Sequence, residues 1–132
     1  MAAANPSLPI SKKKSVSLNE LAGQKLVLME RDAPYSIRFE QELRRQHLVY
    51  NPVFRLQSAQ AALRMVVRDA FVTVLPLYSV KEAAELGQVT ILNISHWNCL
   101  QSVQAVLHQS KVLTPQISGF LKELEIALEG FI

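Results

Sequence analysis

Val66-Val67-Arg68-Asp69-Ala70-Phe71-Val72-Thr73-Val74-Leu75-Pro76 is the stretch on which the reading of this chain turns. Val66 to Arg68 read as the last turn of a helix. A tight junction follows, then a short buried strand from Val72 to Leu75, and Pro76 stops it. This is the second half of an α/β unit. Such a junction normally calls for glycine, and here it carries Asp69 and Phe71. The junction is expected near the carboxyl edge of a parallel sheet, where α/β proteins bind ligands. Phe71 is therefore expected on a pocket wall.

Upstream, Ala59, Ala62, Leu63, Val66 and Val67 repeat at i, i+3, i+4, i+7, i+8, a helix stripe opened by Ser58 as cap. Before it, Asn51-Pro52 breaks the chain and Val53 to Leu56 make a strand. Tyr35, Phe39 and Leu43 predict a helix over 35–46, preceded by the polar loop Glu30 to Pro34. Leu26-Val27-Leu28-Met29 is a continuous apolar run, as in a strand covered on both faces. Ser17-Leu18-Asn19-Glu20 has the form of a capping box, opening a short helix that Gly23 ends.

Downstream, Ser79 to Glu82 form a second capping box, with Gly87 as stop. Val89 to Leu92 and Ser102 to Leu107 are strand-like. Thr114 and Pro115 are strong start signals for a last helix. Its stripe, Ile117, Leu121, Leu124 and Leu128, is expected to be buried, and Gly130 ends it. Strands alternating with helices predict right-handed crossovers and a parallel sheet.

A chain of 132 residues suits one domain. Hydrophobic residues make up 49% and charged residues 19%, enough apolar material for a core and too much for a disordered chain. The mean hydropathy of +0.13 is slightly apolar, which implies some surface kept for a partner. The net charge of +3 owes much to Lys12, Lys13 and Lys14 in residues 1–14, read as a flexible tail. No aromatic residues interleave these lysines, which argues against a nucleic-acid stacking surface. A single cysteine, Cys99, excludes an intrachain disulfide and a zinc site built on cysteine pairs. That fits a cytoplasmic location. Met1 to Ile10 lack the basic head and apolar run of a signal peptide. No apolar stretch approaches the ~20 residues of a membrane span.

The order of these motifs resembles a family. Ser17 to Leu28 is similar to the stretch that begins the second half of the effector-binding (substrate-binding) domain in LysR-type transcriptional regulators. Helix 35–46, strand 53–56 with Ser58, and Thr114-Pro115 through Phe120-Leu121 follow in place. Val66 to Pro76 is similar to the family's valine-x-x-glycine-x-glycine run ending in four apolar residues and proline. The resemblance covers about residues 5 to 129. It implies an α/β fold of the type-2 periplasmic-binding-protein kind: a parallel-rich sheet flanked by helices. On that reading, residues 15–95 are the second lobe, and 96–132 are the returning strand and carboxyl-terminal helix of the first. The winged helix-turn-helix, the linker helix and most of the first lobe would precede Met1. DNA would then be reached only through a winged helix-turn-helix absent from this chain.

The resemblance also implies a small-molecule effector bound between lobes, with the second lobe contributing strand ends and helix starts. Those positions are Glu30 and Arg31 after the first strand, and Gln57 and Ser58 after the second. Free amides at a helix start attract a carboxylate or phosphate, so the effector is expected to be anionic. The simpler role of Ser58 is a helix cap, and that of Arg31 a solvated loop residue; Glu30 would repel an anion. Asp69 tolerates a left-handed backbone less readily than glycine. Phe71 either fills the space beside the pocket or stacks on an apolar ligand.

No cofactor or metal is expected: His47, His96 and His108 are scattered, and the four glycines build no phosphate loop. Cys99 and His96 lack the surroundings of a nucleophilic pair, so an enzyme is not expected. Tyr78 and Trp97 are read as core or interface anchors. Two functional readings follow. One is effector sensing in the control of transcription. The alternative is an oligomerisation module whose ligand pocket is blocked. Under either, the apolar stripe of the last helix points to a homo-oligomer, since each such side chain is worth roughly 1.5–3 kcal/mol once buried.

Overall fold

The computed structural model describes residues 1–98 and 104–130. Strands are β1 (Ala2–Ala4), β2 (Leu26–Met29), β3 (Pro52–Leu56), β4 (Val72–Val74) and β5 (Thr90–Leu92). Helices are α1 (Leu18–Ala22), α2 (Pro34–Arg45), α3 (Ala59–Arg68), α4 (Leu77–Glu85) and α5 (Pro115–Glu129), with one 3-10 turn over Pro9–Lys12. Two compact units result, Met1–Gln101 and Ser102–Ile132.

β2 is wholly buried, which is why its sequence shows no alternation. Leu26 and Leu28 pack into one cluster with Leu21, Phe39 and Leu43. Val27 and Met29 pack into another with Ala62, Val66, Val80 and Ala83. Thus α1 and α2 cover one face of the sheet and α3 and α4 the other. The strand order is β3-β2-β4-β1-β5, and β2 runs parallel to both β3 and β4. The chain leaves β2 over one face to reach β3, then returns over the opposite face to β4. Reversing both direction and face keeps one handedness of crossover. It also makes β2 the strand at which the winding reverses, and crevices open at the carboxyl ends of such strands.

The amino terminus departs from expectation. Residues 2–4, read as part of a flexible tail, form an inner strand antiparallel to both β4 and β5. The sheet is therefore parallel-rich rather than parallel. Three alanines carry no strand signal, since alanine is disfavoured in strands. Their small size suits the position: Ala2, Ala3 and Ala4 are at most 1% exposed between two neighbours and two helical layers.

Asp69 and Phe71 also differ. Asp69 lies in extended backbone (φ −146°), so no left-handed residue is required. The end of α3 is closed from elsewhere: the Asn5 amide donates to the Val66 and Val67 carbonyls at 2.8 and 3.3 Å. The Asn5 backbone N–H donates to the Phe71 carbonyl at 3.2 Å. A side chain 61 residues upstream thus does the work a glycine cap would do, and sequence spacing gave no sign of it.

The Ser17 capping box forms as read, with Ser17 accepting from the Glu20 N–H and Glu20 accepting from that of Ser17. The second box does not form. α4 starts three residues earlier, at Leu77 with Pro76 in the cap position, and Ser79 lies inside it with its N–H on the Pro76 carbonyl. The proline that stops β4 also opens α4. α2 closes with His47 in the left-handed region (φ 56°), where the Leu48 N–H reaches the Leu43 carbonyl. A non-glycine residue there costs on the order of 1–2 kcal/mol.

In the second unit, Thr114 accepts from the Ile117 N–H and Pro115 takes the first position of α5. No residue of α5 is buried, contrary to the stripe expected at Ile117, Leu121, Leu124 and Leu128. The strand read over Ser102 to Leu107 falls partly outside the described residues, and Gln104 to Leu107 form none. Cys99 and Phe131 also lie outside them.

Candidate functional site

The carboxyl end of β2 runs into a turn closed by the Ala33 N–H on the Glu30 carbonyl at 3.1 Å. Beside it, the Glu30 N–H donates to the Leu56 carbonyl at 2.9 Å, fixing the exits of β2 and β3 against each other. A cavity of about 510 Å³ opens at this point, lined by Met29, Glu30, Arg31, Asp32, Ala33 and Gln57. It lies where the winding reverses, the position the topology selects.

Three features give the cavity its chemistry. The first is the open end of α2. Pro34 has no N–H to offer and no side chain caps the helix, so the positive end of its dipole is left uncapped next to the lining residue Ala33. The second is the set of polar side chains, in which Glu30, Arg31 and Asp32 carry charge and Gln57 an amide. The third is a rigid floor. Arg55 of β3 donates to the Met29 carbonyl at 3.4 Å and to the Glu40 carboxylate of α2. Tyr50 adds a hydrogen bond to Glu40 at 2.9 Å. Burial alone would raise the Glu40 pKa, but the bonds from Arg55 and Tyr50 outweigh it and hold the carboxyl below its ordinary value. Glu40 is 4% exposed, so this network ties α2 to β3 from within.

Of the residues expected at the site, Arg31 and Gln57 line the cavity together, as does Glu30. Ser58 follows Gln57 in the chain and caps α3, accepting from the Ala61 N–H at 3.3 Å. Its proton stays free to donate. Phe71 is elsewhere. The Val72 N–H pairs with the Lys25 carbonyl, which puts Phe71 at the amino end of β4. That is about 13 Å down the sheet from Met29 at ~3.3 Å per residue. A junction leading into a strand lies at the strand's start, so the carboxyl-edge assignment was a mistake of polarity. Phe71 packs edge-on against Phe54, with ring centroids 6.1 Å apart at 78°. Met29, Asp32 and Ala33 were missed as lining residues. They flank the same strand exit, and the strand boundary alone could have supplied them.

Tyr35 and Tyr78 stand at the starts of α2 and α4. Burial raises the Tyr35 pKa, and the nearby Tyr78 phenol raises it further. Tyr78 is exposed, whereas Trp97 is half-buried and stacks edge-on with Phe39 at 5.7 Å. Among the described residues no group of three or more acids, histidines or cysteines is placed to hold a metal ion. No helix among them is long and apolar enough to cross a membrane.

Among curated proteins no sequence match is found. Solved structures do match. The regulatory domain of CcmR from Synechocystis PCC6803, in complex with 2-PG, superposes with a TM-score of 0.74 at 16% identity, covering 96% of this chain and 61% of that one. HinK, a LysR family transcriptional regulator from Pseudomonas aeruginosa, gives 0.70 at 15% identity over 92% and 42%. The regulatory domain of MetR, a LysR family regulator from N. meningitidis, gives 0.58 at 19% identity over 72% and 45%. The chain spans less than two thirds of the length of these structures, and at such identities the likeness is one of fold. The LysR substrate binding domain model matches residues 1–128. With that match over nearly the whole sequence, the chain belongs to the LysR substrate-binding-domain family, a family of regulatory domains and not of enzymes.

Proposed function

We propose that this chain is the effector-sensing lobe of a LysR-type regulator and binds a small metabolite bearing an anionic group. The observation that carries the reading is the cavity at the carboxyl ends of β2 and β3, with Arg31 and Gln57 on its wall. The uncapped start of α2 follows the same turn, and its dipole favours negative charge there. A ligand closing on Arg31 and the α2 terminus would shift the position of the β2–α2 turn. In a regulator that is the part of the lobe free to respond, because the Glu40–Arg55 network fixes the rest. The blocked-pocket alternative loses its motive, since Phe71 is not among the lining residues.

A thermal-shift screen of carboxylate and phosphate metabolites tests the reading. A ligand present at 100 times its Kd stabilises the chain by about 2.7 kcal/mol. The expected result is a raised Tm with at least one compound, lost in Arg31→Ala. An equal shift in Arg31→Ala, or none with any compound, would reject the site.

The same reading includes association between copies of the chain. Its support is α5, where Phe120, Leu124 and Ile126 are 66%, 38% and 55% exposed. Apolar side chains at this density on one helix are a burden to a monomer in water. Sedimentation equilibrium is expected to show concentration-dependent self-association that Phe120→Glu abolishes. A monomer at every concentration would contradict it.

A further inference from the structure

We infer that the ligand of this cavity carries a cationic and an anionic group on one small molecule, as an amino acid does. The inference rests on the effector-sensing reading above and specifies its ligand class.

The cavity wall holds two negative side chains, Glu30 and Asp32, and one positive, Arg31. None of them makes an ion pair or side-chain hydrogen bond among the described residues, and neither does the Gln57 amide. This contrasts with the rest of the molecule. Lys13 pairs with Glu20, Arg45 with Glu42, and Arg55 with Glu40. Arg31 stands between two acids in the sequence and bonds to neither. Arg31 and Asp32 are exposed, so water solvates these charges in the open cavity, and a ligand that displaces this water must supply a partner to each sign.

Charge arithmetic selects the ligand. A plain carboxylate or phosphate gains one guanidinium and meets two carboxylates. At comparable distances the repulsion outweighs the attraction. A plain amine gains the carboxylates but leaves Arg31 and the Gln57 amide protons without an acceptor, which is costly once water is displaced. A molecule with both groups satisfies both sets. Its carboxylate takes the Arg31 guanidinium and the Gln57 amide, and its ammonium takes Glu30 and Asp32. Met29 and Ala33 leave an apolar wall for the remaining carbon skeleton.

The test is an amide-resolved NMR titration of the full chain with the common L-amino acids. For each responder, the same skeleton without its amino group and without its carboxyl group is titrated in parallel, together with inorganic phosphate. At least one amino acid is expected to shift the amides of Arg31 to Ala33 and the Gln57 side chain. Its two singly charged analogues should bind about tenfold or more weakly, one decade being one lost charge contact. Arg31→Ala should abolish the response, and Glu30→Gln with Asp32→Asn should move the preference toward the deaminated acid. If acids or phosphate bind at these amides as tightly as the amino acids, the zwitterion assignment is overturned and effector sensing stands. If no compound in either panel moves them, both are overturned.

Discussion

Phe39→Ala is expected to lower the unfolding free energy by about 3–5 kcal/mol, the usual cost of removing a large buried aromatic ring. Phe39 is 0% exposed and sits on α2 above the junction of β2 with its neighbours. It fills the cluster shared by Leu26, Leu28, Val72 and Val74, so no adjoining side chain can collapse into its place without uncovering the sheet. The loss is large against the 5–15 kcal/mol that usually holds a domain together. Trp97, the only tryptophan of the chain, stacks on this ring and reports the change. Urea titration followed by Trp97 fluorescence should show a lower midpoint with an unchanged slope. A midpoint within the error of the parent would mean that Phe39 is not a core residue.

Glu40→Ala is expected to have an effect of similar size, about 3–5 kcal/mol, for an electrostatic reason. It strands the Arg55 guanidinium, 22% exposed in its side chain, without its carboxylate, and an unpaired charge costs far more than a missing pair. Adding Arg55→Met removes the stranded charge, so the double variant should recover much of the loss. If it is instead the sum of the two single changes, the side chains are not coupled. The pH dependence follows from the same carboxylate. Its pKa in the fold lies below the ordinary 4.5, so the folded form holds its proton less tightly than the unfolded one. This stability is therefore present in full above about pH 4.5 and is lost as the pH falls through the lowered value. Glu40→Gln should flatten that acid limb of the stability profile.

The elements that sequence disclosed best are those in which one local pattern fixes one structure. Leu26 to Met29 could only be a strand covered on both sides, and Ser17 with Glu20 could close only one helix. Arg31 and Gln57 were found for the same reason: a strand boundary decides which residues stand at the sheet's edge. What stayed hidden depended on distant partners. Ala2 to Ala4 become a strand because β4 and β5 need a thin neighbour, which three alanines do not announce. Asn5 replaces a glycine cap from the far end of the lobe. Asp69 and Phe71 were misjudged because they were compared with glycines, when the backbone there is extended and asks for none. The cavity charges were individually visible, yet their failure to pair with one another is a fact of geometry.

The inner position of β1 has a kinetic consequence. Its hydrogen-bonded neighbours are Val72 to Val74 and Thr90 to Leu92, so both of its ladders join residues some seventy or more positions apart. Contacts of such separation form late, because most of the chain must be ordered before they repay the closure entropy. The β2–α2–β3–α3–β4 segment carries its own parallel pairings and can organise first. Until β5 has been synthesised and folded, β1 has only half of its site in the sheet. The lobe should therefore acquire its last cooperative stability when β1 is captured between β4 and β5.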